Sequence, residues 1–89
     1  MVRLAAVRPC KGSSGTEVLT EPSLDVDLAV SAEILRREGL EVTDARVLLV
    51  VRSEPQVTLY PSGRMLVHTD DLDEARERAL LVLRLLDHA

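Results

Sequence analysis

Aromatic residues are almost absent from this 89-residue chain, which has no tryptophan, no phenylalanine and a single tyrosine, Tyr60. Because 46% of the residues are nevertheless hydrophobic, the core must be built from aliphatic side chains. A chain of this length holds one domain. Its content of apolar residues excludes an intrinsically disordered segment.

Cysteine is also scarce. Cys10 is the only one, so neither an internal disulfide nor a cysteine-rich metal site can form. This scarcity suggests a reducing compartment, and we expect a cytoplasmic protein. The sequence has no run of about 18 apolar residues that could span a bilayer, so we expect no membrane partner. Because Met1–Cys10 carries two arginines and no long apolar stretch, we expect no secretory signal.

Positive charge is in the minority. Eleven Lys and Arg residues against fifteen Asp and Glu residues give a formal net charge of -4. This balance argues against bulk electrostatic attachment to nucleic acid or to anionic lipid.

Side chains that could bind metal or carry out catalysis are few. His68 and His88 are the only histidines, and their positions match no metal-binding spacing. The best candidate for reactivity is Cys10, whose thiol pKa could be lowered by the neighbouring Lys11. No base is assigned to it, so the evidence for a nucleophile is weak. We predict no enzymatic activity, no catalytic residues, no bound metal and no cofactor, and a thiol-dependent activity at the Cys10 loop stays open as an alternative.

The first half of the chain predicts a strand, a loop and a helix. Val2–Val7 has the composition of a strand, Pro9–Gly15 that of a loop, and Thr16–Thr20 could form a second strand. Leu24–Glu38 is predicted to be a helix because its apolar residues recur every three or four positions. Ser23 or Asp25 could cap its start, and Gly39 suits a left-handed residue at its end.

The second half predicts three strands and a second helix. The strands are expected at Ala45–Arg52, Gln56–Tyr60 and Arg64–Thr69, and Pro61-Ser62-Gly63 has the residues of a three-residue hairpin turn. Asp71 and Glu74 form a capping box at the start of a helix that runs to about Asp87. The last turns of this helix are apolar on nearly all sides, so we expect other parts of the protein, or a partner, to pack against more than one side of them.

The predicted hairpin separates two faces of the sheet. If Tyr60 pairs with Arg64, then Leu59 lies opposite Met65 and Val57 opposite Val67, on one apolar face under the helices. The other face has no carboxylate in this prediction. It carries Gln56, Thr58, Tyr60, Arg64, Leu66, His68 and, by extension through Ser53–Pro55, Arg46, Leu48, Val50 and Arg52.

These expectations combine into a two-layer α+β sandwich. An antiparallel sheet of four to five strands is covered on one face by both helices, and the other face is open. The open surface is either an ordinary solvated sheet back or a docking face. Its candidate binding residues are Arg46, Arg52, Tyr60, Arg64, Leu66 and His68.

Residues 57–69, Val-Thr-Leu-Tyr-Pro-Ser-Gly-Arg-Met-Leu-Val-His-Thr, followed by the helix from Leu72, resemble one half-repeat of the TATA-box-binding protein family. Tyr60 takes the aromatic position of that motif and Ser62-Gly63-Arg64 its turn. The resemblance implies the fold of one half of a saddle, whose sheet underside binds DNA once two halves associate. The family's intercalating phenylalanines are missing here, and Asp70-Asp71 would repel phosphate.

Arg8-Pro9-Cys10 is also similar to the start of small archaeal α+β domains that precede iron–sulfur modules. Since the further cysteines of a cluster are absent, this resemblance implies an accessory piece. The leading hypothesis is therefore a non-catalytic interaction or accessory module that binds a protein partner or a second copy through the open sheet face. The alternative is a weak nucleic-acid binder acting as a dimer; a small-molecule ligand is not identified.

Overall fold

The computed structural model describes residues 3–9 and 15–86. Within them the chain forms six strands and two helices. In chain order these are β1 (Arg3–Pro9), β2 (Thr16–Glu21), α1 (Leu28–Arg37), β3 (Val42–Asp44), β4 (Leu49–Val51), β5 (Val57–Leu59), β6 (Met65–Val67) and α2 (Leu72–Leu85). All neighbouring strands are antiparallel, in the order β1-β2-β6-β5-β4-β3. The predicted α+β class is confirmed.

The predicted number of strands is wrong: we expected four or five, and the sheet has six. The additional strand is β3, which contains only one buried apolar residue, Val42, and therefore shows no hydrophobic pattern. The strand expected at Ala45–Arg52 is shortened to Leu49–Val51. Residues 45–48 instead form the β3–β4 turn, in which the N–H of Ala45 donates to the carbonyl of Leu48 at 3.0 Å.

The β5–β6 hairpin has the predicted register. Leu59 pairs with Met65, Thr58 with Leu66, and Val57 with Val67. The turn is closed by hydrogen bonds from the N–H of Tyr60 to the carbonyl of Arg64 and from the N–H of Gly63 to the carbonyl of Tyr60, both 2.9 Å. Gly63 adopts φ +90°, a conformation that glycine reaches without a steric penalty.

Helix α1 begins four residues later than predicted. Asp27, rather than Ser23 or Asp25, is the N-cap, and its carboxylate accepts from the N–H of Val30 at 3.1 Å. The preceding segment is held by the hairpin turn, since the N–H groups of Leu24 and Val26 donate to the carbonyls of Ser62 and Pro61. The N–H groups that would belong to the first turn of the predicted helix therefore bond to the hairpin turn instead, and the helix begins later.

The ends of the helices otherwise follow the predicted signals. Gly39 has φ +88° and donates to the carbonyl of Arg36, and Leu40 donates to that of Leu35, which together form a Schellman motif. Asp71 caps α2 by accepting from the N–H groups of Asp73 and Glu74 at 3.0 and 3.1 Å. Helix α2 is assigned to Leu85, and the predicted end at Asp87 lies outside the described residues.

Both helices cover the same face of the sheet. Helix α1 packs against β3 and α2, and α2 packs against β1, β2 and β6. The buried apolar residues of the sheet come from β2 to β6 and alternate along each strand: Val18, Val42, Leu49, Val51, Val57, Leu59, Met65 and Val67. They meet the buried helix residues Leu28, Ala32, Leu35, Ala75, Ala79, Val82 and Leu83 in one aliphatic core.

Neither helix of the described residues has the length and hydropathy needed to cross a membrane.

The predicted apolar end of α2 is covered in large part: Val82, Leu83 and Leu86 are buried and Leu80 and Leu85 are partly buried. Only Leu81 on this stretch is exposed, at 39%.

Candidate interaction face

The side of the sheet opposite the helices is defined here as the open face. Its residues alternate with those of the core, so they are fixed by the same register that buries the aliphatic side chains. They are Arg3, Ala6, Arg8, Glu17, Leu19, Glu21, Glu41, Thr43, Leu48, Val50, Arg52, Gln56, Thr58, Tyr60, Arg64, Leu66 and His68. No helix or strand of residues 3–9 and 15–86 packs over this surface.

One row of paired residues crosses the whole open face. Each strand contributes one member, and the pairs run Arg8–Glu17, Glu17–Leu66, Leu66–Thr58, Thr58–Val50 and Val50–Thr43. The middle of the row is apolar, with Leu66 and Val50 partly buried on either side of Thr58. Thr58 is only 8% exposed although no helix covers it, because larger side chains surround it in the sheet.

Tyr60 and Arg64 border this apolar centre at the hairpin end. The guanidinium carbon of Arg64 lies 4.8 Å from the centre of the Tyr60 ring, a cation–π contact. Tyrosine and arginine are the residue types that most often contribute large binding energies at protein interfaces. The face therefore places its one aromatic side chain beside its aliphatic patch.

An ion-pair cluster occupies the β1–β2–β6 side of the face. Glu17 accepts on Oε1 from Arg8, whose Nη2 is 2.9 Å away, and on Oε2 from Arg64, whose Nη2 is 2.7 Å away. These hydrogen bonds, that of Arg8 first, lower the pKa of the Glu17 carboxyl below its ordinary value of 4.5. The carboxylate is thus held ionised by two guanidinium groups.

A weaker pair lies at the opposite side, on β3 and β4. The N–H of Arg52 donates to the carbonyl of Glu41 at 2.8 Å, and the two side chains approach to 3.9 Å between Nε and Oε2. Arg52 Nε also lies 3.4 Å from the hydroxyl of Thr43. Both residues of this pair are exposed, so it contributes little to stability.

The structure brings together five of the six predicted binding residues. Tyr60, Arg64 and Leu66 lie at or beside the apolar centre, while Arg52 and His68 are exposed on its far side, next to Gln56. Arg46 is the exception. It has φ +72° and lies in the β3–β4 turn, where its N–H donates to the carboxylate of Asp44 at 2.8 Å, so strand alternation does not place it on the open face.

The prediction that this face lacks carboxylates is wrong, because Glu17, Glu21 and Glu41 lie on it. Alternation along Thr16–Thr20 could have put Glu17 on the open face. Its neighbours Thr16 and Val18 suit the buried side of a strand, so Glu17 between them points to the opposite side. The sequence did not show which strand lies next to β2. In the structure β2 pairs with β6, which brings Glu17 to Arg64, 47 residues further along the chain. Glu41 was missed together with β3.

The remaining candidate chemistry predicted from the sequence concerned a reactive thiol and a metal site. Cys10, Lys11 and His88 lie outside the described residues. Among the residues that are described, no group of three or more His, Cys, Asp and Glu side chains is arranged to hold a metal ion.

Comparison of the chain with models of protein families, with curated proteins and with solved structures finds no match in any of the three.

Proposed function

We propose that this protein is a non-catalytic interaction module that docks a protein surface on its open face. The observation that carries the proposal is the composition of that face. An apolar centre formed by Leu66, Thr58 and Val50 lies beside Tyr60 and Arg64 and is bordered by ion pairs. Protein interfaces have this arrangement of an apolar, aromatic-containing centre and a polar rim.

The charges of the face favour a protein partner over nucleic acid. The arginines of the face, Arg3, Arg8, Arg52 and Arg64, lie beside its glutamates, Glu17, Glu21 and Glu41, which leaves a net charge of only +1 with His68 counted as neutral. Phosphates would have to compete with these carboxylates for the guanidinium groups, in a chain whose total charge is -4. The DNA binding that the TATA-box-binding resemblance implies therefore gains no support from the charge of this face.

Site-specific photocrosslinking in cells tests the proposal. One variant carries a benzophenone amino acid in place of Tyr60, and the control carries it in place of Val30, an exposed residue on the helix side. We expect polypeptide adducts of defined mass at position 60 and few at position 30. Adding Leu66→Asp to the position-60 variant should remove the adducts, because it puts an unpaired charge at the centre of the interface.

Two further readouts decide between the hypotheses. Equal crosslinking at positions 60 and 30, or none at position 60, contradicts docking on the open face. Binding of the purified chain to a short random DNA duplex at low salt, with an affinity that falls as salt rises, would favour the nucleic-acid hypothesis instead.

A further inference from the structure

We infer that the surface docked on the open face is the open face of a second copy of this chain, so that the protein forms a symmetric dimer with its two sheets stacked and its helices outside. This inference rests on the proposed function, because it names the partner of the same face. Three features of the described residues support it: the distribution of charge, the size of the face and the pairing of the charged groups already on it.

The distribution of charge favours the open face over the helix side as the surface through which two copies meet. The open face carries about +1 of a total of -4, so the rest of the chain carries about -5. Two copies that approached through their helix sides would bring these acidic surfaces together, which costs free energy at low ionic strength. Contact through the open faces adds almost no repulsion.

The size of the molecule allows a dimer interface of ordinary area only if one whole side is used. The molecule extends 29 and 26 Å along its two longer axes, so no flat side is much larger than one partner's share of a standard interface. Stable interfaces of standard size bury about 800 Å² per partner. A stable contact therefore has to use the whole face, from the Arg8–Glu17 pair to the Arg52–Glu41 pair, rather than the apolar centre alone.

Arg52 and Glu41, whose exposed side chains are 3.9 Å apart, lie at the edge of the face and can stay hydrated in a dimer. The Glu17 cluster needs no partner from the other copy, because Glu17 already receives hydrogen bonds on both oxygens. Burial of charged groups is tolerated only when they are paired in this way. In a twofold arrangement the apolar centres of the two copies face each other, because an isologous interface brings the same patch of both subunits to the axis.

Light scattering and sedimentation of the full chain over a range of concentrations test the inference. We expect a mass that rises from 9.8 kDa to about twice that value and stops there. Leu66→Asp should weaken the dimer at least about a hundredfold, since it buries an uncompensated charge at the axis. Val30→Asp, which introduces the same charge on the helix side, should leave the dimer unchanged.

A second pair of variants avoids any effect on folding. Arg52→Glu changes an exposed residue and turns the net charge of the face from about +1 to -1, so the dimer should dissociate several-fold more readily and recover as salt screens the repulsion. Arg76→Glu makes the same change of chain charge on the exposed side of α2 and should have no effect.

The outcomes separate this inference from the proposed function. A mass of 9.8 kDa at every concentration, or a mass that grows without limit as in a head-to-tail assembly, overturns the symmetric dimer. If position 60 then still crosslinks in cells to a protein of another mass, docking on the open face stands and its partner is a different chain. If neither dimer nor adduct is found, both proposals fail.

Discussion

Glu17 on β2 and Arg64 beside β6 lie 47 residues apart in the chain and are joined by two hydrogen bonds from Arg64 Nε and Nη2 to Oε2, at 2.9 and 2.7 Å. The contact exists because β2 inserts between β1 and β6, which puts Glu17 directly opposite Leu66. Together with the Arg3–Glu21 and Arg52–Glu41 pairs it makes the face nearly neutral, where the sequence predicted three arginines and no carboxylate. The same contact holds Arg64 near the ring of Tyr60 and so shapes the proposed interface.

The stabilisation from Glu17 should depend on pH. Because its folded-state pKa lies below the ordinary 4.5, the unfolded chain binds more protons near that pH, and the stabilisation is present above it and is lost as the pH falls through the folded pKa. Glu17→Gln should lower the melting temperature at neutral pH, and this difference should shrink towards zero in acid. Glu77→Gln, on the exposed side of α2, should follow the wild type throughout. A difference for Glu17→Gln that stays constant from neutral to acidic pH would contradict the ion-pair cluster.

Gly63 should tolerate alanine less well than Gly39 does, although both have positive φ angles, +90° and +88°. At Gly63 an added Cβ would lie 2.8 Å from Cδ1 of Leu24 and 3.0 Å from Oγ1 of Thr20, whereas at Gly39 it would meet nothing within 4 Å. Each substitution should cost about 1–2 kcal/mol for the left-handed conformation. Gly63→Ala should cost roughly 1–3 kcal/mol more from overpacking. Urea denaturation of both variants measures the difference, and equal losses of stability would show that Leu24 does not pack on the turn.

The free energy of unfolding should depend on Asp71, the N-cap of α2, more than on the adjacent Asp70. Asp71 accepts two hydrogen bonds from the first turn of the helix, and replacing such a residue by alanine costs about 1 kcal/mol. Asp70→Ala removes the same charge without removing the cap. Thermal unfolding followed by circular dichroism should therefore show a clear loss for Asp71→Ala and a much smaller change for Asp70→Ala. Equal changes would mean that charge near the helix dipole, and not the cap, matters there.

Val50 and Val51 test the assignment of the two faces with neighbouring residues of one type. Val51 is fully buried in the core, while Val50 lies partly buried on the open face. Val51→Ala should cost about 2 kcal/mol, from the lost burial of two methyl groups and the cavity left behind. Val50→Ala should cost less than about 1 kcal/mol when measured at low protein concentration, where a dimer makes no contribution. If Val50→Ala cost more stability than Val51→Ala, the assignment of the two faces would be wrong and the proposed interface would not exist.

Features that depend on neighbours in the sequence could be predicted. The Pro61–Gly63 turn determined the register of β5 against β6, since a turn of known length leaves only one pairing and alternation then assigns every side chain to a face. The N-cap at Asp71 and the glycine after α1 also use local hydrogen bonds, although the N–H of Asp71 donates to the hydroxyl of Thr69 and not to Glu74 as a capping box requires. Five of the six candidate binding residues followed from this local register.

The errors arise where backbone hydrogen bonds, and not the hydrophobic pattern, decide the structure. Leu24 and Val26 continue a helical apolar pattern, yet their N–H groups bond to the carbonyls of Ser62 and Pro61, so α1 begins only at Leu28. Strand β3 has little hydrophobic pattern of its own, and it exists because β4 offers an edge with which it can pair. Hydrophobic periodicity reports burial and not hydrogen-bond partners, so neither feature could be read from it.

The amino-acid sequence by itself determined the α+β class, both helices and the alternation that makes one face of the sheet apolar, because side-chain period and turn chemistry are local properties of the chain. Only the tertiary structure decided that β2 lies beside β6 and β3 beside β4. Those two pairings bring Glu17 and Glu41 onto the open face. Its net charge, and with it the kind of partner that it can accept, thus depends on the pairing of β2 with β6, which are far apart in the chain, and on the short β3–β4 hairpin, whose first strand has no hydrophobic pattern.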